Sequence, residues 1–222
     1  MIAIKKSINK QLVLSCVVII ICFLIAVKAL SSITTVIFED IDIVCLDPGH
    51  GGEDVGAAYN SKTRLEKNDN LDLALKVKTE LEKRDIKVIM TREDDTFVSL
   101  KDRCKTANKG RADLFVSLHR NSSSDGTGIE VWIKDKPSTQ EEKLAENILN
   151  ALVSVAEIPE RGVKKGYRDK TGNNYYVNAN TNMPSCLVEV GFISNKTDNA
   201  DFDKKIDSYA EAIAQAIYEN LQ

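Results

Sequence analysis

Two stretches decide the fold: Ile41-Asp-Ile-Val-Cys-Leu-Asp-Pro-Gly-His50 and Asp113-Leu-Phe-Val-Ser-Leu-His119. Each is a short β-rich apolar run that ends in a histidine as it enters polar sequence. Strands are expected over 41–46 and 113–118. Between them, Leu71, Ala74, Leu75, Val77 and Leu81 recur at helical spacing and predict a helix over 65–83. A strand over 86–91 and a short helix over 100–109 follow. Beyond the second stretch, strands are expected over 128–133 and 185–190, with a charged amphipathic helix over 138–155 between them. A closing helix over 201–221 places Ile206, Tyr209, Ala210, Ile213, Ala216 and Ile217 on one face. Strand alternating with helix predicts an α/β fold: a single domain with a mostly parallel twisted sheet flanked by helices. In such open sheets, sites form beyond the carboxyl ends of the strands, where both histidines fall.

The chain has 222 residues, 43% of them hydrophobic and 28% charged, enough for one domain with a sizeable core. Its net charge of −3 is unevenly spread. Residues 1–30 hold Lys5, Lys6, Lys10 and Lys28 and no acid, leaving −7 for the rest. An acidic main domain argues against nucleic acid as a partner. The basic N-terminus precedes an apolar run over 12–27, interrupted only by Ser15, a pattern of basic n-region and hydrophobic h-region. The run is short for a span of about 20 residues, but Ala29-Leu30 extend it and Lys28 can snorkel. Val27-Lys28-Ala29 is a poor cleavage site, which favours an uncleaved signal anchor over a cleaved signal peptide. Lysines before the run and Glu39, Asp40 and Asp42 after it put the domain outside, at the outer face of the membrane or in the wall. The expected organisation is thus a signal anchor or signal peptide over 1–30, a tether over 31–40 and a domain over 41–222. None of the five cysteines (Cys16, Cys22, Cys45, Cys104 and Cys186) has disulfide or zinc spacing, and each reads as a small buried hydrophobe.

His50 and His119 are the only histidines. Neutral imidazole is a common zinc ligand, although one histidine at a strand end is more often structural. Glu66 precedes the first helix, where an acid commonly serves the helix dipole. Together His50, Glu66 and His119 make a His₂Glu set of the kind that holds catalytic zinc with one position open. Glu189 lies inside the apolar run Cys186-Leu-Val-Glu-Val-Gly-Phe192. A carboxylate there is costly unless paired or functional, and its functional reading is a general base. The glycine loop after Asp47 lacks both the Gly-Lys-Ser/Thr ending of a P-loop and the GxGxxG spacing, which weakens a phosphate- or nucleotide-binding reading.

Asp47-Pro-Gly-His-Gly-Gly52, Leu65-Glu-Lys-Asn-Asp-Asn-Leu71, Met90-Thr-Arg92, Ala107-Asn108, the run Ala112 to Asn121, and Leu187 to Asn195 resemble the zinc-dependent N-acetylmuramoyl-L-alanine amidases of the amidase 3 class. The resemblance runs from about Ile41 to the C-terminus. It implies one zinc ion held by His50, Glu66 and His119, with Glu189 as the catalytic glutamate. It further implies peptidoglycan as substrate, hydrolysed at the amide between N-acetylmuramic acid and L-alanine by metal-activated water, without a covalent acyl intermediate. Arg92 and Asn121 are expected either to orient the site or to hold loops. Where many members have a small residue after the second histidine, this chain has Arg120, an expected influence on substrate contacts. No site-plugging helix, wall-binding repeat or protein activator is evident, and the N-terminal helix is expected to supply the membrane attachment. Compact size with an anchor leans towards a sporulation or germination role. The rival reading is a non-catalytic peptidoglycan-binding module on the same fold.

Overall fold

The computed structural model of the protein describes residues 10–37, 41–61, 63–168 and 173–222. The chain divides into two units, Met1–Asp40 and Ile41–Gln222. The first contains α1 (Lys10–Ile37), whose described side chains from Leu14 to Lys28 are exposed, Cys16 and Cys22 among them. The expectation that all five cysteines are buried therefore fails for these two, because apolar side chains ring the helix with nothing of their own unit covering them. Among the described residues, no helix is long and apolar enough to cross a membrane. The tether, apart from its helical part, lies outside the described residues.

The second unit begins with β1 (Ile43–Pro48), followed by the two-residue strands β2 (Ala58–Tyr59) and β3 (Arg64–Leu65). Then come α2 (Glu66–Glu82), β4 (Lys87–Met90), α3 (Leu100–Gly110) and β5 (Leu114–Asn121). They are followed by β6 (Ile129–Ile133), α4 (Thr139–Val155), β7 (Glu160–Lys165), α5 (Tyr176–Asn180), β8 (Ser185–Phe192) and α6 (Lys196–Leu221). The main sheet has the order β4-β1-β5-β8-β6-β7. Every pairing in it is parallel except β6 with β8. The α/β sheet between helices is as expected, with β6 entering reversed.

The alternation of side chains along each strand explains where the site lies. Val44, Leu46, Leu114, Val116, Leu118, Val188 and Val190 point to one face and join a large core with α2, α4 and α6. Cys45, Phe115, Leu187 and Trp132 point to the other, where, among the described residues, only α3 and the five-residue α5 pack. By the same period of two, Asp47, Ser117, His119, Glu189 and Glu130 share that thinly covered face. Polar side chains gather where the sheet's helical cover is short.

Candidate metal centre

His50 leaves β1 in the left-handed region, at φ 61°. That conformation is strained for a residue with a Cβ, at a cost of about 1–3 kcal/mol. A small bridge holds it: Gly51 and Asp54 exchange backbone hydrogen bonds of 2.8 and 3.1 Å. The loop carbonyls are stapled by two arginines. Arg92 donates to the carbonyls of Pro48 and Gly49, each at 3.0 Å, and to that of Lys67 at 2.8 Å. Arg103 donates to those of Pro48 at 2.8 Å and His50 at 2.7 Å. Arg92 therefore holds loops, one of its two expected roles. Arg103, which the sequence did not single out, also pairs with buried Asp47 at 2.7 Å. Burial works against ionisation of Asp47, but Arg103 and the hydroxyls of Thr91 and Ser117 outweigh it and hold the carboxyl below its usual range.

Glu66 is the first residue of α2 and is buried. Its Oε1 lies 2.9 Å from His119 Nδ1 and 3.2 Å from His50 Nε2. The Ala57 amide donates to Oε2 at 2.8 Å, and the Arg120 amide and the Asn70 side chain reach Oε1 at 3.3 and 3.4 Å. His50 Nδ1 is held by Asp54 at 2.9 Å, which turns Nε2 towards Glu66. A carboxylate orienting the remote ring nitrogen is a common support for a metal-ligating histidine. One donor atom from each of His50, Glu66 and His119 lies within 4.8 Å of the others, so the trio can hold a metal ion. Two glycines keep it open. A Cβ on Gly49 would lie 2.1 Å from His119 Cε1, and one on Gly56 2.7 Å from Glu66 Oε2.

Glu189 pairs in register with His119 across β5 and β8. It is buried, and its Oε2 has no hydrogen-bond partner. Burial pushes its carboxyl up to about 7, with Glu66 and Glu130 adding to the rise. A buried carboxyl with one unpartnered oxygen, opposite a ligand-type histidine, is poised to exchange a proton near neutral pH. Glu189 is therefore an interior carboxyl and not a solvent-facing strand-end residue. His50, Glu66, His119 and Glu189 all line one cleft of about 730 Å³.

Asn121 does not reach the trio. Its amide donates to buried Glu130 at 2.8 Å, and its Oδ1 accepts from Arg168. Arg120, expected to influence substrate contacts, lines the cleft but turns its guanidinium inward. Its guanidinium is buried against Asp69, Asn199 and the Phe202 ring because the strand turns it towards α2 and α6.

The family described as N-acetylmuramoyl-L-alanine amidase matches residues 44–222. The chain is 36% identical over 183 residues to a probable cell wall amidase, LytH, of Staphylococcus epidermidis, covering 81% of this chain. It spans only 57% of that relative's length. Against the solved N-acetylmuramoyl-L-alanine amidase of Clostridium difficile 630 the TM-score is 0.75 at 36% identity, covering 82% of this chain and 98% of that one. The CwlD amidase of Clostridioides difficile, solved in complex with the GerS lipoprotein, gives 0.73 at 28% identity, covering 81% and 98%.

Proposed function

The chain belongs to the N-acetylmuramoyl-L-alanine amidase family, and from that premise we propose that it hydrolyses the amide between N-acetylmuramic acid and L-alanine in peptidoglycan. The observation that carries this reading is the buried Glu189 carboxyl, with its unpartnered oxygen, beside the converging donors of His50, Glu66 and His119. Two imidazoles and one carboxylate are the donor set that suits zinc with a position left open. When bound there, zinc supplies Lewis acidity that makes water nucleophilic near neutral pH and polarises the scissile carbonyl.

The chain's own residues do the rest. Asp54 and Glu66 orient His50, and the Ala57 amide fixes the Glu66 carboxylate. Glu189 takes the proton of the attacking water and returns it to the departing amine. Its raised proton affinity suits both halves of that exchange. On this reading water attacks the scissile carbonyl directly, with no covalent acyl intermediate.

The basic n-region and apolar run of the N-terminus support export, with the domain acting at the outer face of the membrane or in the wall. The reading divides the chain into 1–30, a tether over 31–40 and a catalytic domain over 41–222. A role in wall remodelling follows, with sporulation or germination the favoured setting. The test is mass analysis of muropeptides after treatment of purified peptidoglycan. Free stem peptides beginning at L-alanine are expected, and Glu189→Gln should abolish their release while zinc stays bound. Near-normal release by that variant would remove Glu189 from the role of base.

A further inference from the structure

Arg168 stands apart from the other arginines of the cleft. Arg103 is consumed by Asp47 and by carbonyls, and Arg120 is turned into the interior by Asp69. Arg168 is exposed, follows β7 and lines the same cleft as Glu189 and His119. Its hydrogen-bond partners are neutral: Asn121 Oδ1 and, at 3.5 Å, the Ser122 carbonyl. Among the described residues, no carboxylate lies within ion-pair distance of it.

The mounting of Arg168 is built from behind. Buried Glu130 accepts from the Asn121 amide at 2.8 Å, from the Trp132 indole at 2.9 Å and from Arg161 at 2.7 Å. Tying down the NH₂ end of Asn121 fixes which end faces outward. Oδ1 therefore points at the Ser122 amide, 2.8 Å away, and at the Arg168 guanidinium. A guanidinium has five N–H donors in a rigid fork, so two neutral contacts leave donors for a bidentate carboxylate. The surrounding wall is aromatic, with Tyr167 and Tyr175 ring centres 4.8 Å apart. Glu66, Glu189 and Asp54 of the lining are acidic, and Arg103 and Arg120 are engaged by Asp47 and Asp69, which leaves the Arg168 guanidinium to meet an anionic substrate group.

We propose that Arg168, set by Asn121 and Glu130, receives an ionised carboxylate on the stem peptide, and so makes the enzyme selective for stems whose second residue carries a free rather than an amidated carboxyl. The proposal rests on the amidase reading. It is tested with the full zinc-loaded chain on a pair of muramoyl peptides that differ only in that group, free acid or primary amide. The wild type is expected to favour the free acid by about tenfold or more in kcat/KM, mainly through KM, as befits a hydrogen bond to a charged group. In Arg168→Gln the ratio between the two substrates should collapse towards unity, and Arg168→Lys should keep part of it. A wild type indifferent to amidation would overturn the proposal while leaving the amidase reading intact. So would an Arg168→Gln variant that slows both substrates equally. A wild type that releases L-alanyl peptide from neither substrate nor from whole peptidoglycan would overturn the amidase reading and this proposal with it.

Discussion

Arg120 Nη1 donates to Asp69 Oδ2 at 2.7 Å, joining the residue after His119 to the first turn of the helix that begins with Glu66. Asp69 also takes Arg64 Nε at 2.7 Å, and Arg120 lies 4.1 Å over the Phe202 ring. Burial lowers the Arg120 guanidinium to about 10, which still leaves it charged at neutral pH. Removing one partner of a buried pair strands the other charge, at about 3–5 kcal/mol. Since Arg64 remains to hold Asp69, Arg120→Met is expected near the lower end of that range in urea unfolding. A double-mutant cycle with Asp69→Asn should give a coupling of about 1–3 kcal/mol. Additive losses would show that the pair ties nothing together.

Gly49 is required for its lack of a side chain. A Cβ there would lie 2.1, 2.3 and 2.6 Å from three atoms of the His119 ring. Gly49→Ala should therefore swing the imidazole out of place and weaken zinc binding by about 10-fold to 100-fold, with a stability loss of about 1–3 kcal/mol. Gly162→Ala is the control. Its φ of +86° strains the backbone, yet nothing lies within 4 Å of the added carbon. It should lower the melting temperature and leave zinc affinity alone. Equal zinc loss in both variants would refute the steric account.

The strands were legible where they are buried on both faces, because β1, β5 and β8 read as largely apolar runs. β7 was not. Glu160-Arg-Gly-Val-Lys-Lys165 is an edge strand, and the charges that protect an open edge disguise it. α6 starts at Lys196 instead of 201 because Asn195 caps it, accepting from the amides of Thr197 at 2.8 Å and Asp198 at 3.3 Å. That cap precedes the apolar periodicity on which the expectation rested. In the site, the histidines and the two glutamates stood out by residue type in an unusual place. Arg103 on α3, Glu130 on β6 and Arg168 in a loop did not, because an isolated charged residue looks like solvated surface until the fold shows what it faces.

Zinc uptake should release a proton from His50. Burial opposes protonation of that ring, but the Glu66 and Asp54 carboxylates outweigh it and raise the imidazole from 6.5 to about 9. With the folded value above the unfolded one, the stability this pairing gives the metal-free chain is fully present below about pH 6.5. It is lost as the pH rises through about 9. Zinc needs a neutral ring, so binding at pH 7 must expel about one proton. Calorimetry in two buffers of different ionisation enthalpy measures it. Apparent affinity should rise about tenfold per pH unit from 7 and level off above 9. His50→Ala should abolish both binding and proton release, since the chain has no third histidine to substitute. A wild-type proton count of zero would contradict the assignment of His50 as a ligand held in charged form.

Glu189 should cost the metal-free protein stability wherever it is ionised. Burial lifts its carboxyl from 4.5 to about 7. The native state therefore binds more protons than the unfolded state between those values, and stability falls as the pH rises through that window. Glu189→Gln keeps the shape and removes the titration. Above pH 7 the variant should exceed its parent in stability by on the order of 3 kcal/mol, the rise from 4.5 to about 7 converted to free energy. Near pH 4 the two should coincide, since Glu66 and the other carboxyls titrate in both. Chemical denaturation with chelator present, at pH 4, 6 and 8, reads the difference directly. A gap that fails to widen with pH would mean that Glu189 is not held in its buried, proton-retaining state. A widening gap, together with the lost turnover, would identify a residue kept at the expense of stability for the proton it can carry.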